Sequence, residues 1–117
     1  MAYMLLIQEP VGQRETRTEA EGHAAYASML KFADELKSRG ILRGAESLAS
    51  QSKATRVKVR EGWQQIVDGP FAEAKEMIGG FFLIDCATQA EAVEIAAQCP
   101  AAAWCTVEVR SLGPCYA

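Results

Sequence analysis

The residues best suited to chemistry lie in the segment Val67–Gly80, which reads VDGPFAEAKEMIGG. Asp68 follows an apolar run, and a carboxylate at the end of a strand can act as a general acid or base, or hold a ligand, at the mouth of a pocket. Lys75 could neutralise an anionic ligand group, and Glu73 adds a second carboxylate. This stretch predicts a candidate site with Asp68 in a catalytic role and Lys75 and Glu73 in ligand binding.

A structural interpretation explains the same segment. Asp68 or Gly69 can cap a short helix that begins at Pro70, because proline suits the first helical position. Phe71 then enters the core, and the glycine pair at 79–80 lets the backbone return to the sheet. The charged run in between is then a solvated helix face. The sequence leaves both interpretations open.

The single histidine, His23, is the second candidate for catalysis. It is predicted near the N-terminus of the first helix, where the positive end of the helix dipole favours the neutral imidazole that a general base needs. It lies three residues before Tyr26, and therefore on or beside the buried stripe of that helix. The alternative is a structural histidine without a chemical role.

A third group of candidates lies on the first and last strands. Glu108 and Arg110 alternate with two valines and so point to the opposite sheet face. Arg110 could bind an anion in a cleft shared with Gln8, with Glu108 beside it. Glu108 and Arg110 could equally form an ion pair at a dimer interface or sheet edge.

The four cysteines, Cys86, Cys99, Cys105 and Cys115, lack both a CxxC pair and a histidine at metal-ligand spacing. No metal site and no cofactor are predicted. In a reducing compartment these cysteines are expected to behave as small buried hydrophobic residues, with Cys115 the most exposed.

Composition limits the classes of partner. A chain of 117 residues is expected to form one domain, and its formal charge of -3 argues against direct binding of nucleic acid through a basic surface. The N-terminus has no basic start and only a short apolar run, which is too short for a signal peptide or a membrane span. The protein is therefore expected to be cytoplasmic.

Two helices are predicted. The first covers Glu19–Ser38, where Thr18 and Glu21 form a capping box and Gly40 stops the helix. Its expected buried stripe contains Tyr26, Met29, Leu30, Ala33 and Leu36. The second helix begins with another capping box, at Thr88 and Glu91, and ends before Pro100; its stripe is Ala92, Ile95, Ala96 and Cys99.

Strands are predicted at Tyr3–Ile7, Ile41–Leu48, Gly79–Asp85 and Thr106–Ser111, with a hairpin of Arg56–Arg60 and Trp63–Val67 that has one wet face. Without the hairpin the order is strand, helix, strand, strand, helix, strand. This order predicts an α+β, ferredoxin-like βαββαβ fold with an inserted β-hairpin, in which both helices cover one sheet face. The other face is also apolar, so a homodimer that packs sheet against sheet is expected.

The chain contains, in this order, MLLI, DELKSRGIL, DGPFAEAKE, GGFFLID, EAVEIAAQCP and VEVR. Together these stretches resemble the YCII-related superfamily, specifically its DGPF-domain branch. The resemblance spans nearly the whole chain and implies a ferredoxin-like fold of the dimeric α/β-barrel type and a homodimer. Domains of this branch occur fused to, or encoded near, sigma factors of the extracytoplasmic-function type, so the resemblance also implies a role around transcription initiation.

The wider superfamily is suspected of enzymatic activity because of a histidine and an aspartate. In the YCII branch that histidine lies eleven residues before the glycine that ends the first helix, and counting back from Gly40 gives Met29. His23 is six residues earlier and points about 120° away around the helix, so it does not substitute. A His/Asp dyad is therefore not carried over.

Two functions remain open. The first is a regulatory dimeric domain that binds a small molecule or a protein partner, with a sigma factor as the implied partner. The alternative is a small enzyme that uses Asp68 as general acid or base, assisted by His23 or Lys75, in a pocket between the sheet and the first helix.

Overall fold

The structure, a computed structural model, describes all 117 residues. Its elements in chain order are β1 (Ala2–Pro10), α1 (Glu19–Ser38), β2 (Leu42–Ser47), β3 (Thr55–Arg60), β4 (Trp63–Asp68), β5 (Glu76–Asp85), α2 (Gln89–Gln98) and β6 (Thr106–Ser111). Three short 3-10 turns cover Arg14–Thr16, Gln51–Lys53 and Pro100–Ala103. These elements confirm the predicted α+β class. Neither helix is long and apolar enough to cross a bilayer.

Four strands form one sheet in the order β2-β5-β1-β6, and each neighbouring pair is antiparallel. The strands β3 and β4 form a separate two-stranded hairpin, inserted between β2 and β5. The first and last strands of the chain therefore lie side by side, and β1 is central, paired with β5 on one side and β6 on the other.

The bounds of α1 agree with the prediction because both ends carry specific capping interactions. Thr18 Oγ1 accepts from the Glu21 backbone N–H at 3.1 Å, and Glu21 Oε1 accepts from the Thr18 N–H at 2.8 Å. At the other end, the N–H groups of Ile41 and Gly40 donate to the carbonyls of Leu36 and Lys37, which is a Schellman motif.

The second predicted capping box is only half formed. Thr88 Oγ1 accepts from the Glu91 N–H, as expected, but the Glu91 carboxylate accepts from the N–H of Ala87 instead of Thr88. The helix α2 still begins where the sequence predicts, because one side-chain cap satisfies an orphan donor of the first turn.

Both helices cover one face of the sheet. Along β1, Tyr3, Leu5, Ile7 and Glu9 are buried, while the residues between them are half-buried. The core joins this face to Phe32 and Leu36 of α1 and to α2, and Val107 and Val109 pack against it from β6. We call the other side, which no helix covers, the open face.

The predicted buried stripe of α1 is wrong in part. Tyr26 and Leu30 are 53% and 50% exposed, whereas Phe32, which was not in the predicted stripe, is 3% exposed. Phe32 packs edge-on against Phe82 of β5, with the ring centroids 5.1 Å apart. Phe32 and Leu36 therefore anchor α1 on the sheet, whereas Tyr26 and Leu30 stay largely accessible.

The hairpin of β3 and β4 projects from the body of the domain. All its strand residues are exposed, on both of its faces, so the prediction of a single wet face is wrong for the isolated chain. Trp63 and Val57 are 77% and 62% exposed. The radius of gyration of 16.0 Å exceeds the roughly 13 Å of a compact domain of this length, in agreement with a projecting arm.

The segment after β4 does not form the predicted short helix. Its ends are tied to other parts of the chain, since Gly69 N–H donates to the Ala54 carbonyl and the Lys75 carbonyl accepts from Val11 N–H. Only a turn remains between these ties, in which the Ala74 N–H donates to the Phe71 carbonyl. Phe71 is buried at 5% exposure, but it lies outside the main core.

Candidate functional site

A cavity lies between α1 and the helix-covered face of the sheet. Its volume is about 460 Å³, within the range of ligand pockets, and 12 of its 20 lining residues are hydrophobic. The strands β1, β2 and β5 form its floor, and α1 forms one wall from Gly22 to Ala33. The end wall comes from Ala101, Trp104 and Cys105.

A buried ion pair lies in this cavity. Glu9, at the end of β1, is only 6% exposed. Arg14 Nε donates to both of its carboxylate oxygens at 3.1 and 3.2 Å, and a terminal nitrogen of Arg14 donates to Oε1 at 2.6 Å. This forked geometry is the strong form of an arginine–carboxylate interaction. The pair places two oriented charged groups in an otherwise mainly apolar space.

The sheet makes room for Glu9 through an irregularity in β5. Ile7 pairs with Gly80 and Gln8 pairs with Ile78, so Gly79 is the extra residue of a β-bulge. A Cβ at Gly79 would overlap the Glu9 carboxylate. Glycine is required at this position because the charged side chain crosses directly over the backbone.

A second guanidinium, that of Arg17, lies at the same end of the cavity. Its central carbon is 5.7 Å from the ring centroid of Trp104, a cation–π distance. Gln13 Nε2 donates to the carbonyl of Trp104 at 2.6 Å and ties the loop after β1 to the turn that carries this tryptophan. The loop between β1 and α1 therefore places Arg14 and Arg17 at one end of a mainly apolar cavity.

The thiol of Cys105 also lines the cavity. Burial, together with the nearby Glu9 carboxylate, raises the pKa of this thiol to about 11. At pH 8 about one thiol in a thousand is then ionised, so Cys105 is a poor nucleophile. Burial also raises the pKa of Cys86 and of Cys99.

The exposure of the cysteines predicts their reactivity. Cys115 is exposed, Cys105 is half-buried, and the other two are buried. We expect one thiol per chain to react rapidly with Ellman's reagent at pH 8, and the Cys115→Ser variant to lose this fast phase, because the other thiols remain protonated or covered. A fast-reacting thiol that survives in Cys115→Ser would contradict this assignment.

The residues predicted around the DGPF stretch lie outside the cavity. Asp68 is exposed and accepts from Thr55 Oγ1 at 2.8 Å, across the first pair of the hairpin ladder. Glu73 forms an exposed ion pair with Arg56 at 2.9 Å, and the Arg56 guanidinium carbon lies 3.7 Å from the centroid of the Phe71 ring. Lys75 is exposed. These contacts hold the hairpin and its exit together.

His23 is exposed on α1 and does not line the cavity. The sequence placed it on or beside the buried stripe, but this stripe is shifted toward Phe32 and Leu36. His23 and Asp68 do not meet in a common pocket, so the pocket between sheet and α1 exists without either of the predicted catalytic residues.

Gln8, Glu108 and Arg110 share the open face. In the register of β1 and β6, Glu108 pairs with Leu6 and Arg110 pairs with Met4. The valines of β6 pack toward the helices, as the alternation predicts. Within this single chain no ion pair joins Glu108 to Arg110, and both side chains are exposed. No group of three or more His, Cys, Asp or Glu side chains is arranged to hold a metal.

Sequence reasoning missed the residues of the cavity itself, above all Glu9, Arg14, Arg17 and Trp104. One signal was present. The period-two pattern that buries Tyr3, Leu5 and Ile7 also puts Glu9 on the buried face, and a buried carboxylate requires a partner. Arg14, five residues later, is a candidate for that partner.

Comparison with known proteins gives one sequence relative and one matching family model. An uncharacterised protein of Rhizobium meliloti (strain 1021) is 40% identical over 57 residues. This alignment covers 49% of the present chain and 46% of the relative, so the matched part is about half of either protein. The family model of the YCII-related domain matches residues 1–114. The chain therefore belongs to the YCII-related domain family.

Proposed function

We propose that this protein is a homodimeric domain that binds a small molecule in the cavity between α1 and the sheet, and that it acts in regulation. The observation that carries the proposal is the cavity of about 460 Å³ in which an apolar lining surrounds an oriented ion pair. Apolar walls with a few fixed polar groups are typical of small-molecule sites.

The cavity favours binding over catalysis. Both oxygens of the Glu9 carboxylate accept hydrogen bonds from Arg14, and these bonds occupy the positions from which a base would act. Cys105 is held as a neutral thiol. The enzymatic alternative, with Asp68 as acid or base and His23 assisting, has weaker support because neither side chain lines the cavity.

Two further features support the dimer. The open face carries Met4, Leu6, Ile78, Phe81 and Leu83, paired across β1 and β5, and no part of the chain covers it with a helix. A hairpin of two strands that is exposed on both faces is at best marginally stable in water. A second copy can cover both surfaces.

We assign the fold to the ferredoxin-like arrangement of the dimeric α/β-barrel type. The order β2-β5-β1-β6, with β3 and β4 as an insertion, supports this assignment. The DGPF-branch resemblance supports a cytoplasmic regulatory role with a sigma factor as protein partner. In this proposal, the occupied cavity changes how the dimer meets that partner.

The binding proposal is tested by filling the cavity. Ala25 lines it from α1, so Ala25→Phe places a ring in the space that a ligand would occupy. We expect wild-type protein to bind 8-anilinonaphthalene-1-sulfonate saturably, with enhanced fluorescence, and Ala25→Phe to lower the affinity at least tenfold. The matched control is Ala24→Phe, because Ala24 is exposed and lies outside the lining.

A second filling variant, Gly22→Leu, covers the case in which Ala25→Phe fails to fold. Gly22 is a helical lining residue with open space around its Cβ position, and leucine has the higher helix propensity. Unchanged dye affinity in a folded filling variant would contradict binding in this cavity.

The dimer proposal predicts a solution mass of twice the 12.7 kDa chain at micromolar concentration. Leu6→Lys puts a charge in the middle of the open face, so we expect this variant to sediment as a monomer because an unpaired charge is costly to bury. Ala27→Lys, on the exposed side of α1, is expected to leave the mass unchanged. A monomeric wild-type protein in analytical ultracentrifugation would rule out the dimer.

A further inference from the structure

The charges around the cavity do not cancel. Its lining contains the side chains of Arg14 and Arg17, but Glu9 is the carboxylate that faces them. Glu46 also belongs to the lining, but the strand register directs its side chain to the other side of the sheet. Glu46 pairs with Phe81 on the open face, while its neighbour Ala45 packs on the core. The cavity therefore has an excess of one positive charge at its polar end.

The donors of these arginines are only partly used. Arg14 donates through Nε and one terminal nitrogen to Glu9, and that same nitrogen reaches the Gly79 carbonyl at 3.4 Å. The other terminal nitrogen has no hydrogen-bond partner in the protein. Arg17 has neither a salt bridge nor a side-chain hydrogen bond, and its guanidinium lies over the face of Trp104. Donors for an incoming anion are therefore available on both side chains.

The cavity is polar at one end and apolar along the rest. Arg14 and Arg17 belong to the loop that leads into α1, and the apolar wall continues along the helix to Ala33. Gly22 and Ala33 are eleven residues apart, which is about 16 Å at the helical rise. Tyr26 and Leu30 also line this stretch, and both are largely exposed.

Resting on the function proposed above, we infer that the ligand is an amphipathic monoanion. Its anionic head, a carboxylate or a similar group, is held by Arg17 and the unused terminal nitrogen of Arg14. Its apolar body lies along α1 toward Ala33. Glu9 does not repel such a head, because its own charge is neutralised by Arg14 through three hydrogen bonds at 2.6 to 3.2 Å. Its role is to fix the guanidinium of Arg14 in the orientation that receives the ligand.

Three ligands of equal chain length separate the contributions of head and body: octanoate, 1-octanol and octylamine. Measured by displacement of 8-anilinonaphthalene-1-sulfonate and by calorimetry, octanoate is expected to bind at least tenfold more tightly than octanol, since a hydrogen bond to a charged group adds this much. Octylamine is expected to bind most weakly, because its cation meets Arg17.

The variant Arg17→Gln identifies the residue that recognises the head. We expect it to weaken octanoate binding about tenfold and to leave octanol binding unchanged. Arg39→Gln removes the same charge from an exposed position at the end of α1, outside the lining, and is expected to change neither affinity. Equal weakening by both variants would mean that net charge alone attracts the anion, and would overturn the assignment of Arg17.

The outcomes distinguish failure of the anionic ligand class from failure of the proposed binding function. Equal affinity for octanoate and octanol, or tighter binding of octylamine, overturns the anionic class while the cavity remains a binding site. Absence of binding by all three ligands and by the dye contradicts the proposed function itself.

Discussion

Replacing Glu9 with glutamine is expected to lower the free energy of unfolding by about 2 kcal/mol, measured by urea denaturation. The substitution leaves Arg14 in the cavity without its counter-charge, and breaking one side of a buried pair costs about 3–5 kcal/mol. The expected loss of stability is smaller than this because the side chain of Arg14 is 30% exposed, while that of Glu9 is 8% exposed. Water therefore partly solvates the guanidinium that remains in the variant.

A double-mutant cycle separates this pair from general effects of each substitution. We expect Arg14→Gln in the Glu9→Gln background to cost at least 1 kcal/mol less than in wild-type protein, since the partner is already absent. Glu15→Gln is the matched control, because Glu15 is an exposed acid on the neighbouring turn. Additive effects in the cycle would show that the two side chains are not coupled.

Replacing Gly69 with alanine is expected to destabilise the protein by about 3 kcal/mol, at the upper end of the usual cost of overpacking. A Cβ at this position would overlap the backbone oxygen of Gln51 and would lie 3.3 Å from the carbonyl oxygen of Ala54. These are backbone atoms, so they cannot move aside as a flexible side chain can. The root of the hairpin must shift, and the hydrogen bond from Gly69 N–H to Ala54 must weaken.

Gly44→Ala provides the comparison, because Gly44 lies in β2, has no atom within 4 Å of the added carbon and has no positive φ. Its effect on the free energy of unfolding is expected to stay within about 0.5 kcal/mol of wild type. Hydrogen exchange then locates the damage: in Gly69→Ala, amides of β3 and β4 should lose protection before those of β1. Equal stability of the two variants would mean that the close approach at Gly69 does not matter for folding.

The elements with local signals were predictable. The first helix, Glu19–Ser38, agrees with the sequence at both ends because its stop and start depend on nearby residues, Thr18 with Glu21 and Gly40 with Ile41. The strand β6 agrees for a similar reason, since the alternation of valine with charged residues is a local pattern. Tertiary packing is not needed to set such bounds.

The structure of the DGPF stretch could not be predicted from local sequence. An aspartate and a glycine before a proline fit a helix start as well as a turn, and only long-range ties decide between them. Those ties are the hydrogen bonds from Gly69 to Ala54 and from Val11 to Lys75. The glycine is explained by the nearby backbone of Gln51, which no periodic pattern could indicate.

The cavity was predictable only in part. Glu9 and the two arginines, Arg14 and Arg17, are close in the sequence, but Trp104 comes from a turn near the other end of the chain. The predicted helix stripe was wrong in part. Met29, Ala33 and Leu36 pack on the core as expected, but Tyr26 and Leu30 are exposed and Phe32 is buried. Whether a space forms between α1 and the sheet depends on which turn of the helix packs on the sheet. The helical spacing of apolar residues is compatible with more than one such packing.

The central claim, that the space between α1 and the sheet binds a small molecule, is tested most directly by the site of binding. Backbone amide spectra recorded by NMR during a titration with 8-anilinonaphthalene-1-sulfonate report that site residue by residue. We expect the shifts to cluster in residues 7–9, 22–33, 79–82 and 101–105, which contain most of the cavity lining. Shifts confined to the hairpin or to the open face, with these four segments unchanged, would contradict the claim.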